Sequence, residues 1–553
     1  MSWLRDLFSW LFPRKPKKGE RYSTHRPSST PPDASRSYKV DRVASDEQRD
    51  SLLGQVEIPE KGKHQASPEP DLPRKKDVEP TKPPRKHKRL INVGIDFGTS
   101  FTKVAFRDYG DSKTYLLTFH EGGKGLPPFY IPSTVEIRDG RLFFAWQALH
   151  PKETNFSSFK ICLACQEKTR LTGGPCRINL KGDAAPCFTL ESGPHPLHIT
   201  PFELTVSFLS YVIGIAKERV QKKYGDRYDL SITYNMCAPI DQYETVLSKE
   251  FEKALFLAER IAGFENGQDL IRALELIRRE IVLWPVLPGE DTRTTFIIPE
   301  TYAAIISYVN SRIAEEGLYG VVDIGSGTTD VAFFRLGISP TKSVTFYEAK
   351  TGFIGVDDLV SGIIQESTGK TNKTGSPLRG SAGAEYHCVR TSLIDFPIGE
   401  ERDLTYFLDG IEHRVDKTRL CGLADSVGGK VFEHYRSTWS QAYKKEKSAS
   451  RWKQFTVFTL GGGCRISRVV SPLRSLPWDY LENIQRKKLK IYEEVHLDGK
   501  GRFTDEFSDL VPIVYGLSFH RAEYAEYKLP HAVGRFRPRL PQREIEDFDL
   551  DKY

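Results

Sequence analysis

Three short segments carry the residues best suited to chemistry. Asp96-Phe97-Gly98-Thr99-Ser100-Phe101-Thr102-Lys103 follows the apolar run 90–95. Asp323-Ile324-Gly325-Ser326-Gly327-Thr328-Thr329-Asp330 follows 318–322, and Leu460-Gly461-Gly462-Gly463-Cys464-Arg465-Ile466 follows 455–459. Each reads as an apolar strand entering a glycine-rich turn, and the first two place an aspartate at the junction. Glycine lets the main chain approach an anion closely and adopt positive φ. The N–H groups of such turns, with Ser and Thr hydroxyls beside them, form concave anion sites. An aspartate at a strand end can hold a hydrated magnesium ion, which keeps several waters and takes one or two carboxylates. One glycine-rich turn alone reads equally well as a hairpin. Three in this order point to a polyphosphate clamped between two loops.

The elements that must position these turns alternate between strand and helix, the pattern of an α/β fold. β-Branched and aromatic residues predict strands over 91–96, 102–107 and 114–119. Helical periodicity over 202–223 precedes an apolar strand at 229–234, and helices over 241–263 and 267–282 lead to Glu300. Strands return at 319–324 and 329–335. Helical stretches at 356–366 and 475–487 flank a less regular region, and no internal sequence repeat is visible.

In order and spelling the three segments resemble the phosphate 1, phosphate 2 and adenosine motifs of the actin-like ATPase superfamily, in the branch of the DnaK-type heat-shock chaperones and bacterial actins. The stretch 126–135, Gly140-Arg141-Leu142 with Ala145, Pro299-Glu300-Thr301-Tyr302-Ala303-Ala304-Ile305 and the stretch 352–359 resemble further chaperone segments, so the likeness covers residues 90–525. The resemblance implies a two-lobed α/β fold of duplicated ribonuclease-H-like domains, lobe I at 90–310 and lobe II at 311–525, with ATP and Mg2+ in the cleft. It implies that Asp96 and Asp323 position the magnesium waters and the attacking water, with Asp330 a further acid near the metal. Glu300 would help to align water or metal. Gly98, Thr99 and Ser100, with Gly325, Ser326, Gly327 and Thr328, would cradle the phosphates. Gly461 and Gly462 would face the nucleotide and Arg465 would pack against adenine. Lys103, seven residues after Asp96, and Lys160, within 151–160, compete for the phosphate-stabilising role, Lys160 being favoured. Ser326 replaces the middle glycine of the chaperone loop, a change expected to be tolerated because that position need not adopt positive φ. Past residue 525 too little chain follows for the chaperone peptide-binding sandwich and lid, so refolding by that two-domain mechanism is not expected.

Charge divides the chain unevenly. Its 553 residues are enough for two or more domains and hold 80 Lys/Arg against 73 Asp/Glu. Residues 1–89 contain 21 basic and 13 acidic residues, which leaves 59 against 60 in the remainder. The basicity belongs to the N-terminal arm, and no nucleic-acid groove is expected in the globular part. No apolar run reaches the ~20 residues needed to span a bilayer. The first apolar stretch is broken by Arg5 and Asp6 and lacks a signal-peptide cleavage site. Within 1–12, polar Ser2, Arg5, Asp6 and Ser9 recur at helical spacing and leave a broad face of Trp3, Leu4, Leu7, Phe8, Trp10, Leu11 and Phe12. Pro13 ends this amphipathic helix, and Arg14, Lys15, Lys17 and Lys18 follow. Residues 2–18 therefore suit an anionic membrane surface on the cytoplasmic face, with docking on a protein as the alternative.

Residues 13–89 read as a disordered, basic and Pro-rich linker, and 526–553 as a tail with an acidic end at 544–551. Eight cysteines suit a reducing cytoplasm. Cys162, Cys165, Cys176 and Cys187 could hold Zn2+, but they lack a second close pair, and reduced thiols are the default reading. Cys237, Cys388, Cys421 and Cys464 read as packing residues. Two functions emerge. One is a membrane-tethered, nucleotide-driven conformational switch that hydrolyses ATP and acts on a protein client. The other is a nucleotide-binding scaffold or self-assembling filament former with little or no hydrolysis. Asp96, Asp323, Glu300 and a lysine together favour hydrolysis.

Overall fold

The computed structural model describes residues 86–119, 127–148, 155–157, 159–161, 163, 188–190, 197–284, 293–368, 388–390, 392–393, 403–408, 411–446, 448–452, 455–474, 485–499 and 503–533. The N-terminal helix, nearly all of the linker, the four cysteines of the zinc group and the acidic end lie outside them.

Strands form where β-branched and aromatic residues cluster. β1 (His87–Asp96), β2 (Phe101–Asp108) and β3 (Lys113–Leu116) make an antiparallel meander. β4 (Tyr228–Ala238) pairs parallel with β1, and β5 (Thr295–Pro299) pairs parallel with β4. A second meander contains β6 (Gly317–Ile324), β7 (Thr329–Gly337) and β8 (Ser343–Gly352). β9 (Thr456–Leu460) and β10 (Gln485–Lys488) extend it in parallel. Two late strands complete the outer edges. β11 (Val495–Leu497) runs parallel to β3, and β12 (Glu526–Lys528), from the stretch read as a tail, runs parallel to β8.

The strand orders are therefore β5-β4-β1-β2-β3-β11 and β10-β9-β6-β7-β8-β12, with the same relative direction at every step. The sequence has no visible repeat; the topology repeats. Smaller sheets, one of them built on Thr134–Arg138 and Arg141–Phe144, accompany these two. The architecture is mixed α/β with several mixed sheets.

Alternation along the strands decides which face meets which helix. Ile91, Val93 and Ile95 enter a core shared with α1 (Pro201–Tyr224), α2 (Val246–Arg260) and α3 (Leu270–Leu283). Helix α1 starts cleanly because Thr200 and Glu203 form a reciprocal cap ahead of Pro201. The intervening β1 residue Asn92 instead donates through Nδ2 to the carbonyls of Leu517 and Phe519, both at 3.0 Å. On β6 and β7, Val322, Ile324, Val331 and Phe333 pack with α5 (Val356–Thr368) and α6 (Lys417–Lys445). Their neighbours Tyr319, Val321, Ala332 and Phe334 join a core with α4 (Glu300–Asn310) and α7 (Pro512–Leu517). That core also takes Ala105, Cys237 and Ile298 from the first sheet, so α4 and α7 lie in a core to which both sheets contribute. The two helices cross at backbone contact: a Cβ on Gly516 would lie 1.9 Å from the Ala303 carbonyl oxygen.

Two sequence expectations are overturned. The helix expected over 475–487 is not seen at its described end, where residues 485–488 form β10. This polar segment takes its structure from pairing with β9 and, as an edge strand, carries the lysines that discourage further pairing. The region expected to be irregular contains α6, 29 residues long. Gly422, Gly428 and Gly429 lower its helix propensity. Leu420, Ala424, Val427, Val431, Tyr435 and Ala442 nevertheless make one buried stripe, and Asp416 caps the first turn. No helix among the described residues is long and apolar enough to cross a membrane.

Candidate nucleotide site

β1 and β6 hold equivalent places in the two sheets, and each runs into one of the aspartate–glycine turns. Their cross-strand partners differ in charge. Asp96 lies opposite Lys103 on β2, whereas Asp323 lies opposite Asp330 on β7. Lys103 Nζ forms an ion pair with Asp96 Oδ2. Asp330 instead accepts from Thr351 Oγ1 at 2.5 Å, and Thr351 also meets Asp241 at 3.0 Å. Glu300 is the first residue of α4, directly after β5, and its Oε2 lies 3.5 Å from Lys160 Nζ.

The first loop is held by Ser133. Its N–H donates to the Ser100 carbonyl and its hydroxyl to the Gly98 carbonyl, both at 2.8 Å. The second loop is held by α5, whose Val356 and Asp357 N–H groups donate to the carbonyls of Gly325 and Ser326 at 3.1 and 2.7 Å. Ser326 is not among the residues with positive φ, as expected for a serine at that position. In the third loop Gly461 has φ of +85°, and a Cβ there would lie 2.2 Å from Asp323 Oδ1. Only glycine lets this turn approach the aspartate so closely.

These loops surround one cleft of about 820 Å3. Every described residue predicted to hold phosphate, metal or base lines it, except Gly327. Gly327 packs behind the loop, where a Cβ would lie 2.0 Å from Ile161 and 3.2 Å from Thr99. Both lysines proposed for the phosphate-stabilising role reach the cleft.

Its electrostatics follow from a surplus of buried acid. Asp96, Glu300, Asp323 and Asp330 are all less than 10% exposed. Among the described residues, two ammonium groups, those of Lys103 and Lys160, pair with them. Burial pushes the Asp323 carboxyl up to about 7, with the charge of Glu300 adding to it and the lysines opposing. Burial and then Glu300 also raise Asp330, and burial raises Glu300 against the pull of Lys160. For the two lysines burial disfavours the charge, but Asp96 and Glu300 outweigh it, so both are held above the ordinary lysine range. Asp96, Cys237 and Glu300 place one donor atom each within 4.8 Å of one another. The Cys237 thiol donates toward Asp96 Oδ1 at 4.0 Å, and burial raises its pKa, which keeps it protonated.

Arg465 reaches the other end of the cleft, where Nη2 and Nε meet the Asp509 carboxylate at 2.5 and 3.2 Å and the guanidinium lies 5.7 Å from the Phe507 ring. Sequence reasoning missed Asp509, Arg390 and Ser133 as site residues, and it read Cys237 as packing. Asp509 and Arg390 belong to no local motif, and only the fold brings them to the cleft. Ser133 stands in the Pro-Ser-Thr segment of the resemblance, which was the one available signal. No protein-family model matches the chain, and the search of curated proteins gives no match.

Proposed function

We propose that this chain is an actin-like, two-lobed nucleotide-binding protein that binds ATP with magnesium and hydrolyses it as a conformational switch. The observation that carries the reading is the shared strand order of the two large sheets, with an aspartate–glycine turn ending the same strand in each and both turns lining one cleft. Such a pair is what duplicated ribonuclease-H-like domains would give.

The donor set suits magnesium. The carboxylates of Asp96, Asp323, Asp330 and Glu300 offer hard oxygen atoms, and they outnumber the nearby ammonium groups. When bound, the ion would neutralise phosphate oxygens and order water around them. The loops would hold the phosphates by main-chain N–H groups and the hydroxyls of Thr99, Ser100 and Thr328. Lys160 and Lys103 would stabilise charge on the transferred phosphoryl group. A carboxyl titrating near 7, as Asp323 does, is suited to take the proton of an attacking water. Arg465, held by Asp509, would offer a flat cation to the base. Residues 2–18 would tether the switch to an anionic membrane surface.

The test is ATP binding and hydrolysis by the purified chain, with and without magnesium, beside Asp96→Ala. Magnesium-dependent turnover lost in the variant supports the reading. Tight binding without turnover favours a nucleotide-sensing scaffold, and no binding refutes both.

A further inference from the structure

The two phosphate loops touch each other through side chains. Ser100 Oγ donates to Ser326 Oγ, and Ser326 Oγ donates to Asp357 Oδ1 at 2.6 Å. Asp357 lies in the first turn of α5 and receives a two-point contact from Arg390, Nε to Oδ1 and Nη2 to Oδ2, each 2.7 Å. Arg390 is 5% exposed and lines the same cleft. A chain of polar contacts thus runs from the first loop, across the phosphate end, into the start of α5.

Serine is not needed for the turn. Its φ is not positive, so glycine or serine satisfies the backbone, and the hydroxyl is what serine adds. That hydroxyl has one proton and two lone pairs. The proton goes to Asp357, and a lone pair takes the proton of Ser100. The carbonyls of both loops are already turned away, toward Ser133 on one side and α5 on the other. The hydroxyl pair is therefore a direct polar link between the loops, and it occupies the space where a phosphate would enter. A phosphate oxygen, which only accepts, must take the Ser100 proton for itself before it can sit there.

We propose that Ser326 and Asp357 are positioning residues that latch the two phosphate loops and set how fast a phosphate-bearing ligand enters the cleft. The proposal rests on the nucleotide reading above. Asp357 holds the Ser326 hydroxyl in the bridging orientation, and Arg390 holds Asp357. Loss of one neutral hydrogen bond corresponds to an opening equilibrium shifted ~5-fold.

The experiment uses the full chain with two readouts. Association of a fluorescent ATP analogue is followed by stopped flow, and amide hydrogen exchange of the ligand-free protein is followed over 97–101 and 325–329. Ser326→Gly should speed both association and loop exchange ~5-fold, Asp357→Asn should act in the same direction, and Ser326→Thr, which keeps a hydroxyl, should restore the parent values. A merely structural role would not be rescued by threonine. Association and exchange unchanged in Ser326→Gly would overturn the latch, whether or not Asp357→Asn folds. If the parent binds no nucleotide, the nucleotide reading fails there, and exchange alone decides the latch: faster in both loops supports it, unchanged overturns it.

Discussion

Gly461→Ala probes the third loop at the point where it touches the buried acidic cluster of the cleft. Gly461 follows β9 with φ of +85°, and a methyl group there would lie 2.2 Å from Asp323 Oδ1 and 2.6 Å from the Ile324 carbonyl oxygen. The positive φ with ψ of 159° is a backbone region that glycine almost alone populates, and it disfavours alanine by ~1–3 kcal/mol. Forcing a carbon into occupied space adds ~1–3 kcal/mol. Together these predict a loss of ~2–6 kcal/mol. Gly462 is the control, since it has no positive φ and no atom within 4 Å of its added Cβ. Alanine there should shift stability by less than ~0.5 kcal/mol. Urea unfolding followed by tryptophan fluorescence separates the two, because Trp439 and Trp452 sit in the core of the second sheet. The clash also forces Asp323 to retreat by about 1 Å, and a misplacement of that size can lower a rate ~100-fold. Matching midpoints for Gly461→Ala and Gly462→Ala would refute the reasoning.

Four further outcomes are expected. Folded Asp323 keeps its proton up to about pH 7, whereas an unfolded aspartate releases it near ~3.9. The stability from that proton is full below the lower value and is lost as pH rises through the upper one. In magnesium-free buffer Asp323→Asn should therefore melt with the parent near pH 4 and above it at pH 8; a lower melting temperature at pH 8 contradicts this. Lys160→Ala leaves Glu300 without its partner at 3.5 Å. Single-turnover hydrolysis should fall ~10²–10³-fold, and a loss under ~3-fold would pass the role to Lys103. Asp509→Ala removes the carboxylate that holds Arg465, leaving the Glu506 carbonyl as its partner, and should weaken ATP ~10-fold in equilibrium dialysis while leaving inorganic triphosphate unaffected; equal weakening of both would remove Asp509 from base recognition. Deleting residues 2–12 should abolish co-sedimentation with anionic vesicles, and persistent binding would exclude the N-terminal tether.

The three loops were legible because their chemistry is local. A glycine-rich turn after an apolar strand states in its own residues what it can hold. The seven-residue spacing from Asp96 to Lys103, and again from Asp323 to Asp330, is long enough for a turn and a cross-strand pair, and in each sheet the two residues do face each other. Helices α1, α2, α3 and α5 were legible from apolar periodicity, although with shifted ends. Helix α6 was not, because its glycines mask a stripe that only burial against the second sheet makes decisive. β10 was misread because a polar edge strand owes its form to a neighbour rather than to its own side chains.

By itself, the sequence determined the α/β class, the three loops and their acidic and basic residues, and the division between a basic arm and a neutral body. The tertiary structure alone decided that the two sheets share one strand order, since backbone pairing repeats without any repeat of side chains. It also brought Asp509 to Arg465 across 44 positions and Ser100 to Ser326 across 226. The charge state of Asp323 belongs to the same category, because burial and the approach of Glu300 set it. Residue type and short spacing say what a segment can bind. Which distant surfaces meet, and how far they exclude water, is decided only when the chain is packed.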